Sequence, residues 1–192
     1  MLARGYARLK PCHFVNSEEE HITGELVRAM EEWLDEPQTP PWANHLSVHE
    51  EARVHCPGLK GKKRKRLDIR IDSSSAKPRP RFCFEAKRLG PGHGVSIYLG
   101  SEGLGRYLDG SYARECPAAG MLGYVQERAP SEWASEIGQA MKDPNNPCKV
   151  VASSPWRKKE VVKQLDCTYC SGHRRQGAKG QIEIYHTLLL FN

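Results

Sequence analysis

The order of apolar and polar positions along the chain predicts a mixture of helices and strands. In residues 17–34, apolar side chains recur at steps of three and four, which is the spacing of one face of an amphipathic helix. Ser17 precedes this stretch and Glu20 follows three residues later, as in a capping box, so we expect Ser17 to be the N-cap. Residues 130–143 repeat the helical spacing and predict a second helix.

Alternating apolar and polar residues predict the strands. Residues 66–72 and 81–88 have this pattern and are joined by the polar loop 73–80. Residues 119–127 are mostly apolar, and we expect them to be a buried strand. Residues 181–192 have the composition of a strand. We also expect a strand-like stretch at 45–55, short helices at 102–112 and 157–165, and a short strand at 149–152. This succession of elements predicts an α/β or α+β sheet protein.

The composition is that of one folded domain. Of the 192 residues, 39% are hydrophobic and 27% are charged, which lies in the range of globular proteins. No internal repeat or low-complexity linker divides the chain, so we expect a single domain over residues 1–192. There is no run of about 18 apolar residues and no apolar segment of a secretory signal at the N-terminus. We therefore expect a cytoplasmic protein that does not associate with a membrane.

The formal net charge of +6 favours a polyanionic partner. Composition by itself does not separate nucleic acid from an anionic membrane surface. The densest positive run is residues 60–66. Lys62, Lys63 and Arg64 in this run are candidate contacts to backbone phosphates, and a solvated charged turn is the alternative.

Two of the predicted strands carry charged residues that suggest chemistry. In residues 66–72 we expect Leu67 and Ile69 on one face and Asp68 on the other, whereas Glu85 and Lys87 share a face of the next strand. If the strands pair, the three charged side chains converge. Adjacent carboxylates repel unless a cation lies between them, and carboxylate oxygens suit Mg²⁺ or Mn²⁺.

Such a cluster suits phosphodiester hydrolysis. The metal would stabilise the phosphate charge and lower the pKa of the attacking water, and Lys87 would orient that water or help to deprotonate it. The alternative is an ordinary pair of strands with one solvent face and cross-strand ion pairs.

The wider pattern resembles the PD-(D/E)xK nuclease superfamily. A glutamate-bearing helix is followed by Asp68 in RLDI and then by Glu85 and Lys87 in FEAK, although Leu67 stands where a proline is usual. The resemblance spans about residues 17–127. It implies an α/β, restriction-endonuclease-like fold, in which a central mixed β-sheet is flanked by helices around an αβββαβ core.

The resemblance also implies roles for individual residues. Asp68 and Glu85, with the carbonyl oxygen of Ala86, match the metal ligands, and Lys87 matches the catalytic lysine. The first helix is expected to add one carboxylate, for which we favour Glu19. The neighbouring alternative is Glu18, and Glu25 shares that side of the helix; acidic residues in a first turn also simply stabilise the helix dipole.

The implied activity is hydrolysis of DNA by a Mg²⁺- or Mn²⁺-dependent nuclease, with RNA as the alternative substrate. Families with this pattern act in restriction, anti-phage defence, recombination and repair, commonly as homo-oligomers or as subunits of larger complexes. The alternative is a catalytically inactive subunit of the same fold that binds nucleic acid or a partner protein.

Four further residues are candidate nucleic-acid contacts. Arg106 lies in a glycine-rich stretch after the FEAK strand, and Gln126 ends the predicted strand 119–127. His173 and Arg175 lie in a basic stretch, 171–180, for which we expect an exposed loop. Ordinary surface positions are the alternative for each.

Cys167, Cys170 and His173 have the spacing of part of a zinc site. A structural zinc ion needs four ligands, and this motif supplies three, so His186 or Cys148 would have to complete the set. We favour two partly buried thiols over zinc. A zinc-stabilised interaction protein is therefore the third functional class, behind the nuclease and the inactive subunit.

Overall fold

The computed structural model describes residues 1–54, 60–176 and 180–192. The α-helices are α1 (Leu2–Tyr6), α2 (Glu19–Leu34), α3 (Val95–Tyr98), α4 (Gly105–Leu108) and α5 (Pro130–Lys142). The strands are β1 (Leu46–Arg53), β2 (Arg66–Ser73), β3 (Arg81–Leu89), β4 (Ala118–Val125), β5 (Arg157–Lys158), β6 (Thr168–Arg174) and β7 (Gln181–Leu190). Short 3₁₀ helices cover Pro11–Phe14, Pro41–His45 and Gly61–Lys63.

All of these strands form one mixed sheet in the order β1-β2-β3-β4-β7-β6-β5. The central strands β3, β4 and β7 are parallel, and both outer parts are antiparallel. A central parallel strand is covered on both faces, so it needs apolar residues at nearly every position. The sequence of β4, AAGMLGYV, satisfies that requirement.

Helices flank the sheet on both faces. Ile22, Leu26 and Met30 of α2 pack with Ile69 and Phe84 in one core layer. On the other face, residues of α3, α4 and α5 pack against β4 and β7, among them Tyr98, Tyr107, Trp133, Ile137, Met121 and Leu188. The protein is therefore an α/β structure with a seven-stranded mixed sheet flanked by helices. The sequence predicted this class and the mixed sheet flanked by helices.

Most of the regularly patterned segments were predicted correctly. The helices at 17–34 and 130–143 are α2 and α5, and the strands at 66–72, 81–88, 119–127 and 181–192 are β2, β3, β4 and β7. The strand-like stretch 45–55 contains β1; its last residue lies outside the described residues. The predicted cap was wrong by one residue, because Glu18 occupies the N-cap position of α2.

Segments without a clear period were predicted poorly. The helix expected at 157–165 is absent there, and β5 occupies its beginning. The strand expected at 149–152 is reduced to an isolated bridge between Val150 and His173. The helix expected at 102–112 is only the four residues of α4. Strand β6 and the short helices α1 and α3 were not predicted.

Gly120 of β4 is required by close packing next to β3. A Cβ atom at this position would lie 2.2 Å from Cδ1 of Phe84, which no real side chain tolerates. The glycine therefore leaves room for the ring of Phe84 against β4. Phe84 directly precedes Glu85 in β3. Across the three described stretches of the chain, no helix has both the length and the apolarity to cross a membrane.

Candidate active site

The candidate site lies where β2 and β3 separate. Their pairing runs from Asp72 and Arg81 to Ile69 and Phe84 and stops there. One residue further, Oδ2 of Asp68 accepts a hydrogen bond of 2.6 Å from the backbone N–H of Ala86. A side-chain oxygen thus occupies the place of a backbone carbonyl, which opens a gap between the two strands.

The same break corrects one prediction about β2. Leu67 and Ile69 were expected on one face, but Leu67 belongs to the core layer beneath α3–α5 and Ile69 to the layer beneath α2. Strict alternation would put residues two apart on the same side. The alternation is interrupted at Asp68, whose side chain accepts a hydrogen bond from the β3 backbone.

Glu85 is the most deeply buried acid of the site. Only 4% of the residue is exposed, and Oε1 lies 3.1 Å from Nζ of Lys87. Among the described residues, the other oxygen, Oε2, is buried and has no hydrogen-bond partner. Burial and the negative charge of Asp68 raise the pKa of Glu85 to about 9. This carboxyl group therefore takes up either a proton or a further cation at neutral pH.

Asp68 and Lys87 are electrostatically linked to Glu85. Burial raises the pKa of Asp68, whereas the Ala86 N–H and the Lys87 ammonium act in the opposite direction. Burial alone would lower the pKa of Lys87, but the carboxylates of Glu85, Glu19 and Asp68 together raise it. Lys87 is therefore held as an ammonium ion among three acids, which it does not neutralise completely.

Glu19 is the glutamate of α2 that reaches this cluster. Its Oε1 lies 2.7 Å from Nζ of Lys87, and its Oε2 accepts a hydrogen bond of 3.0 Å from the backbone N–H of Arg88. Glu18 instead pairs with the Arg88 guanidinium and is 70% exposed, and Glu25 pairs with Arg28. The first residue of α2 thus joins the helix to the FEAK strand.

A small acidic cleft of about 70 Å³ leads to Asp68. It is lined by Glu19, Glu20, Thr23, Glu50, Glu51 and Asp68. Burial raises the pKa of Glu50, and the neighbouring Glu51 and Glu31 raise it further. Sequence reasoning missed the two glutamates of β1, because the polar pattern of that strand carried no chemical motif. A phosphate would be repelled by this cleft unless cations were bound.

The donor chemistry of the site fits a divalent cation. Within the described part of the chain, no group of three or more His, Cys, Asp or Glu side chains is already arranged to hold a metal ion. Asp68 and Glu85 nevertheless offer two interacting carboxyl groups, and Oε2 of Glu85 has no hydrogen-bond partner in the part of the chain that the structure describes. The N–H and C=O of a strand residue point to the same side, so the Ala86 carbonyl also faces the gap.

The predicted phosphate contacts on the basic run are accessible. Lys62 and Lys63 are exposed in the 3₁₀ helix Gly61–Lys63, and Arg64 directly after it is half-buried. Arg106 is less free, because it forms an ion pair with Glu102 and lies 5.8 Å from the ring centre of Tyr112. Nucleic-acid binding by these four residues remains a prediction.

Gln126 and Arg175 have structural partners. The side-chain amide of Gln126 donates hydrogen bonds to the backbone carbonyls of Phe14 and Ser17, which ties the segment before α2 to the end of β4. The guanidinium of Arg175 donates to three backbone carbonyls in the loop before β4, those of Ala113, Arg114 and Cys116. Each of these side chains therefore joins a loop to a distant part of the chain.

His173 corrects the prediction of an exposed basic loop at 171–180. It lies in β6, is fully buried, and its Nδ1 lies 2.6 Å from the carbonyl oxygen of Cys148. A nucleic acid at the surface cannot reach it. Residues 177–179 of the predicted loop lie outside the described residues.

His173 belongs to a buried polar network that the sequence did not reveal. Oγ of Ser171 lies 2.7 Å from Nε2 of His173 and 2.9 Å from Nε2 of His186. Nδ1 of His186 lies 3.1 Å from the hydroxyl of Tyr98 on α3. Burial lowers the pKa of His173 to about 4 and that of His186 further below its usual range. The two imidazoles are thus neutral links between β6, β7 and α3.

The zinc motif is divided by the strand that carries it. Cys170 and His173 are three residues apart in β6, so their side chains point to opposite faces of the sheet. The two side chains therefore do not converge on one ion. Cys170 is buried and Cys167 is half-buried, and neither forms a disulfide.

The chain matches no protein-family model, and no curated protein or solved structure is significantly similar to it.

Proposed function

We propose that this protein is a metal-dependent nuclease of the PD-(D/E)xK type that hydrolyses phosphodiester bonds of DNA, with RNA as the alternative substrate. The observation that carries the proposal is the cluster at the gap between β2 and β3. There the buried Glu85 lies beside Asp68, and Lys87 bridges Glu85 and Glu19.

The order of elements supports a restriction-endonuclease-like fold. Helix α2 is followed by the antiparallel strands β1, β2 and β3, then by the short helices α3 and α4, and then by β4, which is parallel to β3. This succession corresponds to an αβββαβ core. In that arrangement the acidic residues belong to β2 and β3 and the additional glutamate to the first helix, as they do here.

Asp68, Glu85 and the Ala86 carbonyl would hold Mg²⁺ or Mn²⁺. The buried Oε2 of Glu85, which has no hydrogen-bond partner among the described residues, supports this assignment, because a buried carboxylate without a partner is costly. A bound divalent cation supplies charge stabilisation for the phosphate and a lower pKa for the attacking water.

Lys87 acts in this proposal as a charged hydrogen-bond donor. Its pKa is raised, so it keeps its proton at neutral pH and can orient a water molecule or bind a phosphate oxygen. Glu19 positions it, because the same carboxylate binds both the Lys87 ammonium and the Arg88 backbone. A rigid lysine loses less freedom when substrate binds than a mobile one.

Incubation with defined nucleic acids tests the proposal. Plasmid, linear duplex, single-stranded DNA and RNA are each treated with the protein in Mg²⁺, Mn²⁺ or EDTA. We expect cleavage with either metal, none in EDTA, and loss of cleavage in Lys87→Ala and Glu85→Gln. Metal-dependent cleavage that survives both substitutions would contradict it.

The alternative, an inactive subunit of the same fold, predicts a different result in that experiment. Nucleic acid would be bound but left intact under every metal condition. A role in restriction, anti-phage defence or repair, alone as a homo-oligomer or within a larger complex, is proposed here by analogy with proteins that share the motif.

A further inference from the structure

The positive charge of the chain is concentrated around β2. Residues 60–81 contain ten Lys or Arg and two Asp, a net charge of +8. The remaining residues contain 19 Lys or Arg and 21 Asp or Glu, a net charge of −2. The excess positive charge of the whole protein therefore lies on β2, on the loops at its two ends and on the first residue of β3.

The strand register brings part of this charge to one face of the sheet. Arg70 pairs with His49 of β1 and with Cys83 of β3, and Asp72 pairs with Arg81. The intervening residues, such as Ile71, pack toward α2. Side chains alternate along a strand, so His49, Arg70, Asp72 and Arg81 point to the face opposite α2. We call these four residues, together with the flanking loops 60–65 and 74–80, the basic face.

The arginines of the basic face are accessible and only partly neutralised. Arg81 is 59% exposed and Arg70 is 25% exposed at the side chain. Both share one carboxylate, because Asp72 lies 3.0 Å from Arg70 and 3.7 Å from Arg81. Among the described residues, Nε of Arg70 has no hydrogen-bond partner. Two guanidinium groups therefore face one acid.

The loops extend this charge along the whole strand. Lys62 and Lys63 are exposed at one end of β2, and Lys77 and Arg79 are exposed at the other. Eight residues of strand span roughly 26 Å, which corresponds to about seven or eight base-pair steps of a duplex.

We propose that the basic face binds the phosphate backbone of a nucleic acid on the side of the sheet opposite α2. The inference rests on the proposed function for the identity of the polyanion. The face also lacks the apolar side chains that insert into a membrane, since none of the large exposed apolar side chains of the described residues lies on it; these are Val15, Trp42, Ile97, Val161 and Val162.

Binding in EDTA tests this proposal without cleavage. The probes are fluorescein-labelled 20-base-pair DNA, the corresponding single strand and an RNA of the same sequence, measured by fluorescence anisotropy at several salt concentrations. For Arg70→Gln/Arg81→Gln we expect binding to weaken about tenfold and the slope of log Kd against log salt to fall by about 1.8 for the duplex. Asp72→Asn should tighten binding several-fold, because it removes the only acid that pairs with these arginines across the described contacts.

The matched control is Lys158→Gln/Lys163→Gln, which removes two exposed positive charges on and beyond β5 at the opposite edge of the sheet. It should leave both Kd and the salt slope unchanged. If the double arginine variant fails to fold, Lys62→Gln/Lys63→Gln in the exposed loop replaces it. This variant should reduce the slope of log Kd against log salt by the same amount. Asp72→Asn still tests the proposal in the opposite direction, because it should tighten binding.

Three outcomes overturn the proposal. They are equal weakening in the control variant, no change in any basic-face variant, and binding of phosphatidylserine vesicles but of no nucleic acid. Failure of the nuclease proposal can be distinguished from failure of the basic-face proposal. Face-dependent binding without cleavage in Mg²⁺ contradicts the nuclease alone, and cleavage with unaltered binding contradicts the basic face alone.

Discussion

The carboxylate of Asp68 accepts a hydrogen bond from the backbone N–H of Ala86 at 2.6 Å. This contact takes the place of the next backbone hydrogen bond between β2 and β3. It leaves a gap between the two strands next to the Ala86 carbonyl and the Glu85 carboxyl group. A structural role and the proposed metal-binding role therefore meet in one side chain.

Asp68→Asn should separate the two roles. The amide oxygen can still accept from Ala86, so we expect the free energy of unfolding to stay near that of the native protein. Asp68→Ala leaves a buried N–H without a partner and should cost about 1–3 kcal/mol. Urea unfolding measures both effects. Both variants should lose the proposed metal-dependent cleavage, and full cleavage by Asp68→Asn would remove Asp68 from the proposed ligands.

Glu85 should make the metal-free protein less stable as the pH rises. Its pKa is raised to about 9 from an ordinary value of 4.5, so between these values the folded state binds more protons than the unfolded state. Stability should therefore fall from about pH 5 to about pH 9 in EDTA. Thermal unfolding of Glu85→Gln should lack this component.

The exposed Glu160→Gln serves as the control for Glu85→Gln and should keep the pH dependence of the native protein. At pH 8, added Mg²⁺ should raise the Tm of the native protein and of the control but not that of Glu85→Gln. The same pH profile in Glu85→Gln as in the native protein would show that Glu85 does not carry the effect.

Glu19 should matter to the proposed activity far more than its neighbour Glu18. Glu19→Gln weakens the contact that holds Lys87, and we expect a loss of roughly tenfold to a hundredfold in kcat, as for other supporting contacts near a metal. Glu18→Gln removes the same charge from a side chain that is 70% exposed, so kcat should change little. Equal losses in the two variants would point to overall charge instead of positioning.

The buried histidines should limit stability in acid. The pKa of His173 is lowered to about 4, mainly by burial, so below its ordinary value of 6.5 the unfolded state binds the proton more readily. The urea midpoint should decrease as the pH falls from about 7 to 4. His173→Gln should reduce that pH dependence even if it lowers the midpoint at pH 7, and an unchanged dependence would exclude this histidine as its cause.

The sequence by itself determined the elements with a strong local period. Helices α2 and α5 show apolar residues at steps of three and four, and strands β2, β3, β4 and β7 show alternating or apolar residues. These patterns depend on neighbouring residues only. It also singled out Asp68, Glu85 and Lys87, because their spacing in two consecutive strands is that of the nuclease motif. Strand β6 escaped prediction because its sequence, TYCSGHR, has a polar character that becomes buried only through distant partners.

The tertiary structure decided which residues meet. It brought Glu19 rather than Glu18 to Lys87, added Glu50 and Glu51 to the cleft, and turned Leu67 away from the layer that holds Ile69. It also buried His173, because Ser171 and the Cys148 carbonyl supply hydrogen bonds there. The physical reason is the range of the interactions: periodicity is encoded between neighbours, whereas burial of a charge or a polar group depends on partners that only folding brings together.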